Sequence, residues 1–171
     1  MENIKEYSCK MYCILKNLEK AKGPSFIYSN FVNYGGTQLI KQVLNANGYS
    51  PFGSNNNKPK YIVLDDTFTP QQRQRLLYKL NKPNNIHGDI IKVVIGSPVV
   101  SEGITFKSIR QIHILEPYWN LSRIEQIIGR GVRFKSHFFL PEIDRNTKIF
   151  LYASIGSGQS IDLLKYKLSE D

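Results

Sequence analysis

The sequence lacks several features that would define a site or a compartment. It contains no phosphate-binding loop of the form GxxxxGK[ST], so it does not cradle nucleotide phosphates in the way such a loop does. Its two cysteines and three histidines are too few for a disulfide framework or a four-ligand zinc site of the usual spacing. We therefore expect no metal site.

Long apolar runs are absent as well. The longest is only a few residues, far below the ~20 needed to span a bilayer. The first ten residues, MENIKEYSCK, are charged and contain no apolar stretch of the kind found in secretory signals. We therefore expect no membrane association and no secretion.

Acidic residues are outnumbered by basic ones. The 171 residues include 14 Asp and Glu against 23 Lys and Arg, which gives a formal charge of +9. A chain of this length suits one domain with a substantial core, and the excess of positive charge favours a polyanionic partner.

The first segment has the periodicity of a helix. Its apolar residues recur at spacings of three and four and predict one continuous helix that ends before Gly23-Pro24: Ile4, Tyr7, Met11, Ile14, Leu15 and Leu18. Cys9 and Cys13 lie on this helix, and we expect both thiols to be buried or half-buried.

The rest of the chain alternates strands with helices. Nearly continuous apolar runs predict strands at 25–29, 61–64, 90–95, 112–115 and 148–153. Helices are predicted to begin near Thr37, Thr69, Asn120 and Gln159, and residues 51–60 are predicted to form a polar loop. This alternation indicates an α/β domain, with a parallel sheet of about five or more strands and helices on both faces.

Polar residues follow several of the predicted strands, where an open parallel sheet binds its ligands. They are Ser29-Asn30, Asp65-Asp66, Gly96-Ser97-Pro98 and Glu116-Pro117. We interpret the two aspartates as a turn before the next helix, and we hypothesise that Glu116 holds an arginine. His113, inside a strand, is interpreted as a core histidine.

The segment QIIGRGVR, residues 126–133, is the richest in candidate chemistry. Gln126, Arg130 and Arg133 fall at i, i+4 and i+7, so they share one face of a helix and its continuation. Paired guanidiniums bind phosphate oxygens bidentately, which suits a triphosphate. A solvated basic helix end explains the same spacing equally well.

These motifs together resemble the second RecA-like domain of superfamily 2 helicases and translocases. Residues 126–133 look like motif VI of that family, residues 96–106 like motif V and residues 26–31 like motif IV, in the family's order across residues 23–155. A narrower likeness, to the helicases of large cytoplasmic DNA viruses such as poxviruses and African swine fever virus, rests on residues 116–133, Ser136-His137 and Leu140-Pro141.

The resemblance implies that two domains contribute to one ATP site. Residues 1–22 would be a helix leading into the domain, and 23–171 would be the helicase C-terminal domain of a longer chain. A first RecA-like domain of that chain would hold ATP and Mg²⁺. Arg133 and Arg130 would act as catalytic arginine fingers, and the ATP contacts would come from Gln126, Gly103 and Thr105.

The resemblance also implies a set of nucleic-acid contacts: Ser29, Asn30, Ser97, Ser101 and Trp119. Hydroxyls and N–H groups at strand ends suit phosphate oxygens, and Trp119 could stack on a base. Without the resemblance, the polar residues are better explained as turns and caps, and the tryptophan as a packing residue.

The resemblance finally implies a biological setting. The partner would be single-stranded or duplex DNA, with RNA as an alternative, and the role would be viral transcription or replication in the host cytoplasm (the viral factory) or the virion. The domain alone would be inactive. Two other classes stay open: a RecA-like module that docks nucleic acid or protein without catalysis, and a small-ligand α/β domain.

Overall fold

The computed structural model describes residues 2–33, 35–65, 67–98, 104–118, 120–156, 158 and 160–169. The helices are α1 (Glu2–Tyr7), α2 (Cys9–Glu19), α3 (Thr37–Ala46), α4 (Pro70–Leu80), α5 (Leu121–Gly131) and α6 (Ile161–Leu168). The strands are β1 (Ser25–Tyr28), β2 (Ser50–Pro51), β3 (Lys60–Leu64), β4 (Val93–Gly96), β5 (Gln111–Ile114) and β6 (Lys148–Leu151).

The strands form one six-stranded sheet with the order β2-β3-β4-β1-β5-β6. Every neighbouring pair is parallel. Strand β1 lies at the centre, where Ile27 is in register with Ile95 on one side and with His113 on the other. The prediction of an α/β domain with a parallel sheet is confirmed.

Helices cover both faces of this sheet because the central strands are apolar on both sides. On one face, Phe26 and Tyr28 of β1 pack in a cluster with α5 residues Ile124 and Ile127. On the other face, Ile27 packs in a second cluster, to which α2 and α3 contribute the following side chains: Met11, Ile14, Leu15, Leu18, Ile40 and Leu44. Alternation along a strand thus divides the core into two halves.

Helix α4 begins as its sequence predicts. The Thr69 hydroxyl accepts from Gln72 N–H, and the Gln72 side chain accepts from Thr69 N–H, which together make a capping box. Pro70 occupies the first helical turn, where its absent N–H costs no hydrogen bond.

The predicted strand 90–95 is wrong at its start, because β4 begins at Val93. The buried Asn85 side chain holds the preceding residues: its Oδ1 accepts from the N–H of Ile90 and of Ile91, both at 2.9 Å. Its Nδ2 donates to Leu80 O at 2.9 Å. Ile90 and Ile91 therefore pack into the core from a loop whose backbone is hydrogen-bonded to a side chain. An apolar sequence alone does not distinguish such a loop from a strand.

The amino-terminal segment also departs from prediction, since it forms two helices. Ser8 separates them, with its hydroxyl accepting from Met11 N–H at 3.3 Å as the N-cap of α2. Tyr7 therefore leaves the apolar stripe and is 85% exposed. The expected burial of the thiols is wrong, since Cys9 and Cys13 are both exposed. The polar loop 51–60 is preceded by an additional short strand, β2, which pairs with β3.

His113 is a core histidine, as interpreted. Its Nε2 lies 3.0 Å from Gln111 Oε1 and its Nδ1 lies 2.8 Å from the Tyr152 hydroxyl. Since the amide oxygen can only accept, Nε2 carries the proton and the hydroxyl donates to Nδ1. The ring also stacks on Phe150, with centroids 5.0 Å apart.

None of the helices in the described part of the chain is long and apolar enough to cross a membrane.

Burial of His113 generates a pH prediction. Burial lowers the pKa of His113 from 6.5 to about 3, so the folded chain keeps the ring neutral where the unfolded chain binds a proton. The free energy of unfolding should therefore fall as pH decreases from about 6.5 towards 3, by up to about 1.4 kcal/mol per pH unit from this group. Urea unfolding at a series of pH values measures the slope.

The variants His113→Gln and His87→Gln separate this effect from other groups, because His87 is exposed. His113→Gln should flatten the slope, whereas His87→Gln should leave it unchanged. Equal slopes in all three proteins would contradict the assignment.

Candidate functional site

Residues 104–108, which lead into β5, lie against the end of α5 on the face of the sheet that this helix covers. Phe106 N–H donates to Arg130 O at 2.9 Å, and Ser108 N–H donates to Ser136 O at 2.8 Å. Backbone hydrogen bonds thus hold side by side two segments that are distant in the sequence.

Arg133 is exposed and is held by two contacts. Its Nε donates to Gly129 O at 2.9 Å, and its Nη1 donates to the Thr105 hydroxyl at 2.8 Å. The helix ends at Gly131, so Arg133 lies beyond α5 and folds back onto it. The structure thus brings together two of the residues that the sequence singled out.

A hydrogen-bonded chain positions the backbone of Arg133 from behind. Arg133 N–H donates to Ser136 Oγ at 3.2 Å, and Ser136 Oγ lies 2.8 Å from His137 Nδ1. His137 Nε2 lies 2.8 Å from Ile109 O, which only accepts, so Nε2 is protonated and the serine hydroxyl donates to Nδ1. The Ser136-His137 pair belongs to the viral helicase resemblance, but no pattern in the sequence predicted this role.

Asn81 holds the Thr105 segment from the other side. Its Nδ2 donates to Thr105 O at 3.0 Å, and its Oδ1 accepts from Lys107 N–H at 2.7 Å. Asn81 caps the carboxyl end of α4. The sequence identified this residue only as the end of a helix, because nothing local connects it with residues 24 and 26 positions away.

Arg130 and Ser97 line the same small apolar cavity, together with Tyr28 and Ile127. Ser97 is 1% exposed, and its hydroxyl has no hydrogen-bond partner among the described residues. The Nε of Arg130 is likewise buried without a partner in the described part of the chain. Unsatisfied buried polar atoms are costly and tend to mark functional positions.

The neighbouring positions on α5 have different roles. Gln126 is exposed on the helix surface. A Cβ at Gly131 would come within 3.1 Å of Ile112 Cδ1, so this glycine allows α5 to approach β5. A Cβ at Gly129 would meet nothing within 4 Å, so packing does not require a glycine there.

Glu116 organises the carboxyl edge of the sheet, at the ends of β1 and β5. Its Oε1 accepts from the Ser29 hydroxyl at 3.0 Å, and its Oε2 accepts from Asn30 N–H at 2.8 Å. The hypothesis that Glu116 holds an arginine is wrong, because no ion pair joins its carboxylate to an arginine among the described residues. Burial raises the pKa of Glu116, although the hydrogen bonds from Asn30 and Ser29 oppose that rise.

Two of the predicted nucleic-acid contacts, Ser29 and Asn30, take part in these hydrogen bonds, and they differ in burial. Ser29 is fully buried, and its hydroxyl also donates to Phe31 O at 3.2 Å. Asn30 is half-buried, and its Oδ1 accepts from the Tyr28 hydroxyl at 3.1 Å. Ser29 therefore positions its neighbours, whereas Asn30 lies closer to the surface.

Helix α6 is fixed to the same edge through Lys10. The Lys10 ammonium donates to Leu115 O at 2.9 Å and pairs with Asp162 at 2.6 Å. Asp162 also accepts from Ser154 N–H at 2.9 Å, which fixes the approach to α6.

Asp65, at the end of β3, forms the predicted turn: its Oδ1 accepts from the N–H and the hydroxyl of Thr67. Five of the residues named from the sequence lie outside the described residues: Asp66, Ser101, Gly103, Trp119 and Gln159. Among the described residues, no group of three or more His, Cys, Asp or Glu side chains could hold a metal ion.

Comparison with known proteins identifies the family and a similar fold. The family model "Helicase conserved C-terminal domain" matches residues 8–135. The fold is similar to the crystal structure of the C-terminal part of the Fun30 ATPase domain, with a TM-score of 0.69 and 19% identity, over 94% of this chain and 44% of that chain.

Viral proteins are among the similar sequences. A candidate ATP-dependent RNA helicase of Acanthamoeba polyphaga mimivirus is 36% identical over 89% of this chain and 27% of its own length. A candidate helicase of Invertebrate iridescent virus 3 is 34% identical, over 99% of this chain and 19% of its length. A termination factor NPH-I homolog of African swine fever virus is 30% identical over 88% of this chain and 26% of its length.

The α/β fold is that of a RecA-like domain. The chain belongs to the helicase conserved C-terminal domain family, as its resemblance to superfamily 2 helicases predicted. It spans about a quarter or less of the length of these viral relatives.

The Thr105 contact generates a prediction about Arg133. Thr105→Val removes the hydroxyl acceptor but keeps the side-chain shape and the carbonyl that Asn81 binds, so the Arg133 guanidinium should rotate faster. Arginine side-chain NMR measures that rotation, with exposed Arg75 of α4 as the reference within the same spectrum. Stability should change by less than about 0.5 kcal/mol. An unchanged Arg133 signal would contradict the contact.

A second prediction concerns Glu116. Glu116→Ala leaves Asn30 N–H and the Ser29 hydroxyl without their carboxylate, so the free energy of unfolding should fall by about 1–3 kcal/mol in urea denaturation. Glu125→Ala on the exposed face of α5 is the control and should change it by less than about 0.5 kcal/mol. Equal effects of the two substitutions would show that the Glu116 network contributes no stability.

Proposed function

We propose that this chain is the C-terminal motor half of an ATP-dependent superfamily 2 helicase or translocase. Residues 1–22 lead into the domain, which comprises residues 23–171. A first RecA-like domain of the same longer chain holds ATP and Mg²⁺. The observation that carries the proposal is the exposed Arg133 guanidinium, held beside the end of α5 by Thr105 and Gly129.

The donor set at the end of α5 fits an anionic triphosphate. Arg130 lies in its last turn and Arg133 just beyond it, and guanidinium groups bind phosphate oxygens bidentately. Bound ATP supplies the scissile phosphoanhydride bond. Gln126, Thr105 and Gly103 are the further residues that we assign to the nucleotide.

Arg133 acts in this proposal as the main arginine finger. Its guanidinium donates to phosphate oxygens as negative charge develops, and such a finger contributes about 10³–10⁵ in rate in phosphoryl transfer. The contacts of Arg133 with Gly129 and Thr105 limit its conformations in advance, so less reorganisation accompanies the reaction. The Nε of Arg130 is buried, so this second finger presents only its terminal nitrogens.

We assign the carboxyl edge of the sheet to the nucleic-acid backbone. The assigned residues are Ser29, Asn30, Ser97, Ser101 and Trp119. The unpartnered hydroxyl of Ser97 supports a contact at the end of β4. Ser29 acts by positioning, because its hydroxyl is bound to Glu116. The partner is DNA, single-stranded or duplex, with RNA as the alternative.

The setting is proposed from the relatives. Their viral origin, and the termination-factor name that one of them carries, support a role in viral transcription or replication. The chain would then act with the viral transcription machinery in the host cytoplasm, at the viral factory, or in the virion.

ATP turnover by the full-length protein tests the arginine finger. Single-stranded DNA should stimulate turnover, and Arg133→Ala should reduce it by about 10³-fold or more. Arg75→Ala, an equal loss of one exposed arginine on α4, should retain turnover. The 171-residue chain alone should hydrolyse no ATP.

The same assay decides the alternative, a docking module without catalysis. Under that alternative, the full-length protein shows no turnover, or shows turnover that is indifferent to Arg133. Repeating the assay with single-stranded RNA distinguishes the two nucleic acids. Absence of turnover, or turnover that Arg133→Ala leaves unchanged, would overturn the assignment of Arg133 as the finger.

A further inference from the structure

A basic pocket lies at the opposite edge of the sheet, where the strands begin. It is a cavity of about 310 Å³. Its lining consists of Lys20, Lys22, Arg110, Gln111, Ile143, Asp144, Asn146 and Lys148. Neither the helicase motifs nor the arginine finger proposal uses these residues.

The amino ends of three adjacent strands bring the cations together. Lys22 lies three residues before β1, Arg110 directly precedes β5, and Lys148 is the first residue of β6. Arg110 N–H donates to Pro24 O at 2.8 Å, and Lys148 N–H donates to Arg110 O at 2.9 Å. Sheet hydrogen bonds thus fix Pro24, two residues after Lys22, next to Arg110 and Lys148.

Arg110 is built into the wall of this pocket. It is only 7% exposed, and a Cβ at Gly23 would lie 2.7 Å from Arg110 Cγ and 2.6 Å from Ile86 O. Any other residue at position 23 would therefore displace the arginine or the loop beside it. Gly23 is required here for the close approach of a side chain.

The hydrogen bonds of Arg110 are incomplete. Its Nη2 pairs with Asp144 Oδ1 at 3.1 Å and also lies 3.4 Å from Asn146 Oδ1. Its buried Nε has no partner within the described ranges. A guanidinium has five N–H donors, so Asp144 and Asn146 orient this one without satisfying it.

The charges around the pocket are unbalanced. Four cations line it (Lys20, Lys22, Arg110 and Lys148), against one carboxylate, that of Asp144. The three lysines are exposed, and they form no ion pair within the described parts of the chain. A planar guanidinium with flexible ammonium groups is a combination that binds phosphate oxygens.

We propose that this pocket is an anion-binding site for phosphate groups, with Arg110 as its fixed donor and Lys20, Lys22 and Lys148 as its mobile ones. The ligand is a free polyphosphate or a phosphate of a nucleic-acid backbone that passes this edge. The site is separate from Arg133 and does not depend on the proposed ATPase function.

Titration of the 171-residue chain with pyrophosphate, followed by amide NMR in excess chloride, tests the site. We expect saturable shifts at residues 20–23, 110–111 and 144–148. The double variant Lys22→Gln/Lys148→Gln should bind at least about tenfold more weakly, because two charge-assisted contacts are lost. Lys58→Gln/Lys167→Gln removes two exposed lysines elsewhere and should bind as the unmodified chain does.

A short single-stranded oligonucleotide distinguishes the two sources. If it shifts the same residues and pyrophosphate displaces it, the backbone of a nucleic acid is the ligand. If only pyrophosphate shifts them, the ligand is a free polyphosphate. Absence of saturable shifts, or equal weakening in both double variants, would overturn the proposal, and unchanged spectra away from the pocket confirm that the variants are folded.

Discussion

The arrangement of both edges depends on the burial of parallel strands on two faces. Every residue of β1, β4 and β5 is buried, so the polar backbone of these strands can be satisfied only by neighbouring strands. Helices must then cover both faces, and the chain returns to the same end before each new strand. All carboxyl ends therefore meet at one edge and all amino ends at the other.

Uncharged groups position Arg133 at the end of α5. Gly129 O and Thr105 Oγ1 fix the Arg133 side chain, while Ser136 and His137 connect its N–H to Ile109 O. A flexible side chain beyond the end of a helix thus has a defined starting position without an acidic partner. An acidic partner would compete directly with a phosphate ligand, whereas a hydroxyl and a carbonyl carry no net charge.

The sequence predicted the features that leave a local signal. Apolar runs placed most strands, and the Thr69-Pro70 pair placed the start of α4. Local pattern did not predict β2, because two residues carry no periodicity. Spacing along α5 singled out Arg130 and Arg133, since both lie in one short segment. The partners of Glu116 and Asn81 could not be predicted, because strand order and loop packing bring them together from distant positions.

The two edges are joined by the same short strands, which constrains how they can influence each other. Arg110 precedes β5 and Glu116 follows it, and a four-residue strand is roughly 13 Å long. Each residue of β5 is buried and paired with a neighbouring strand on both sides. Occupation of the basic pocket would act on the Glu116 end of this strand through the electrostatic field, and such an influence weakens as salt concentration rises.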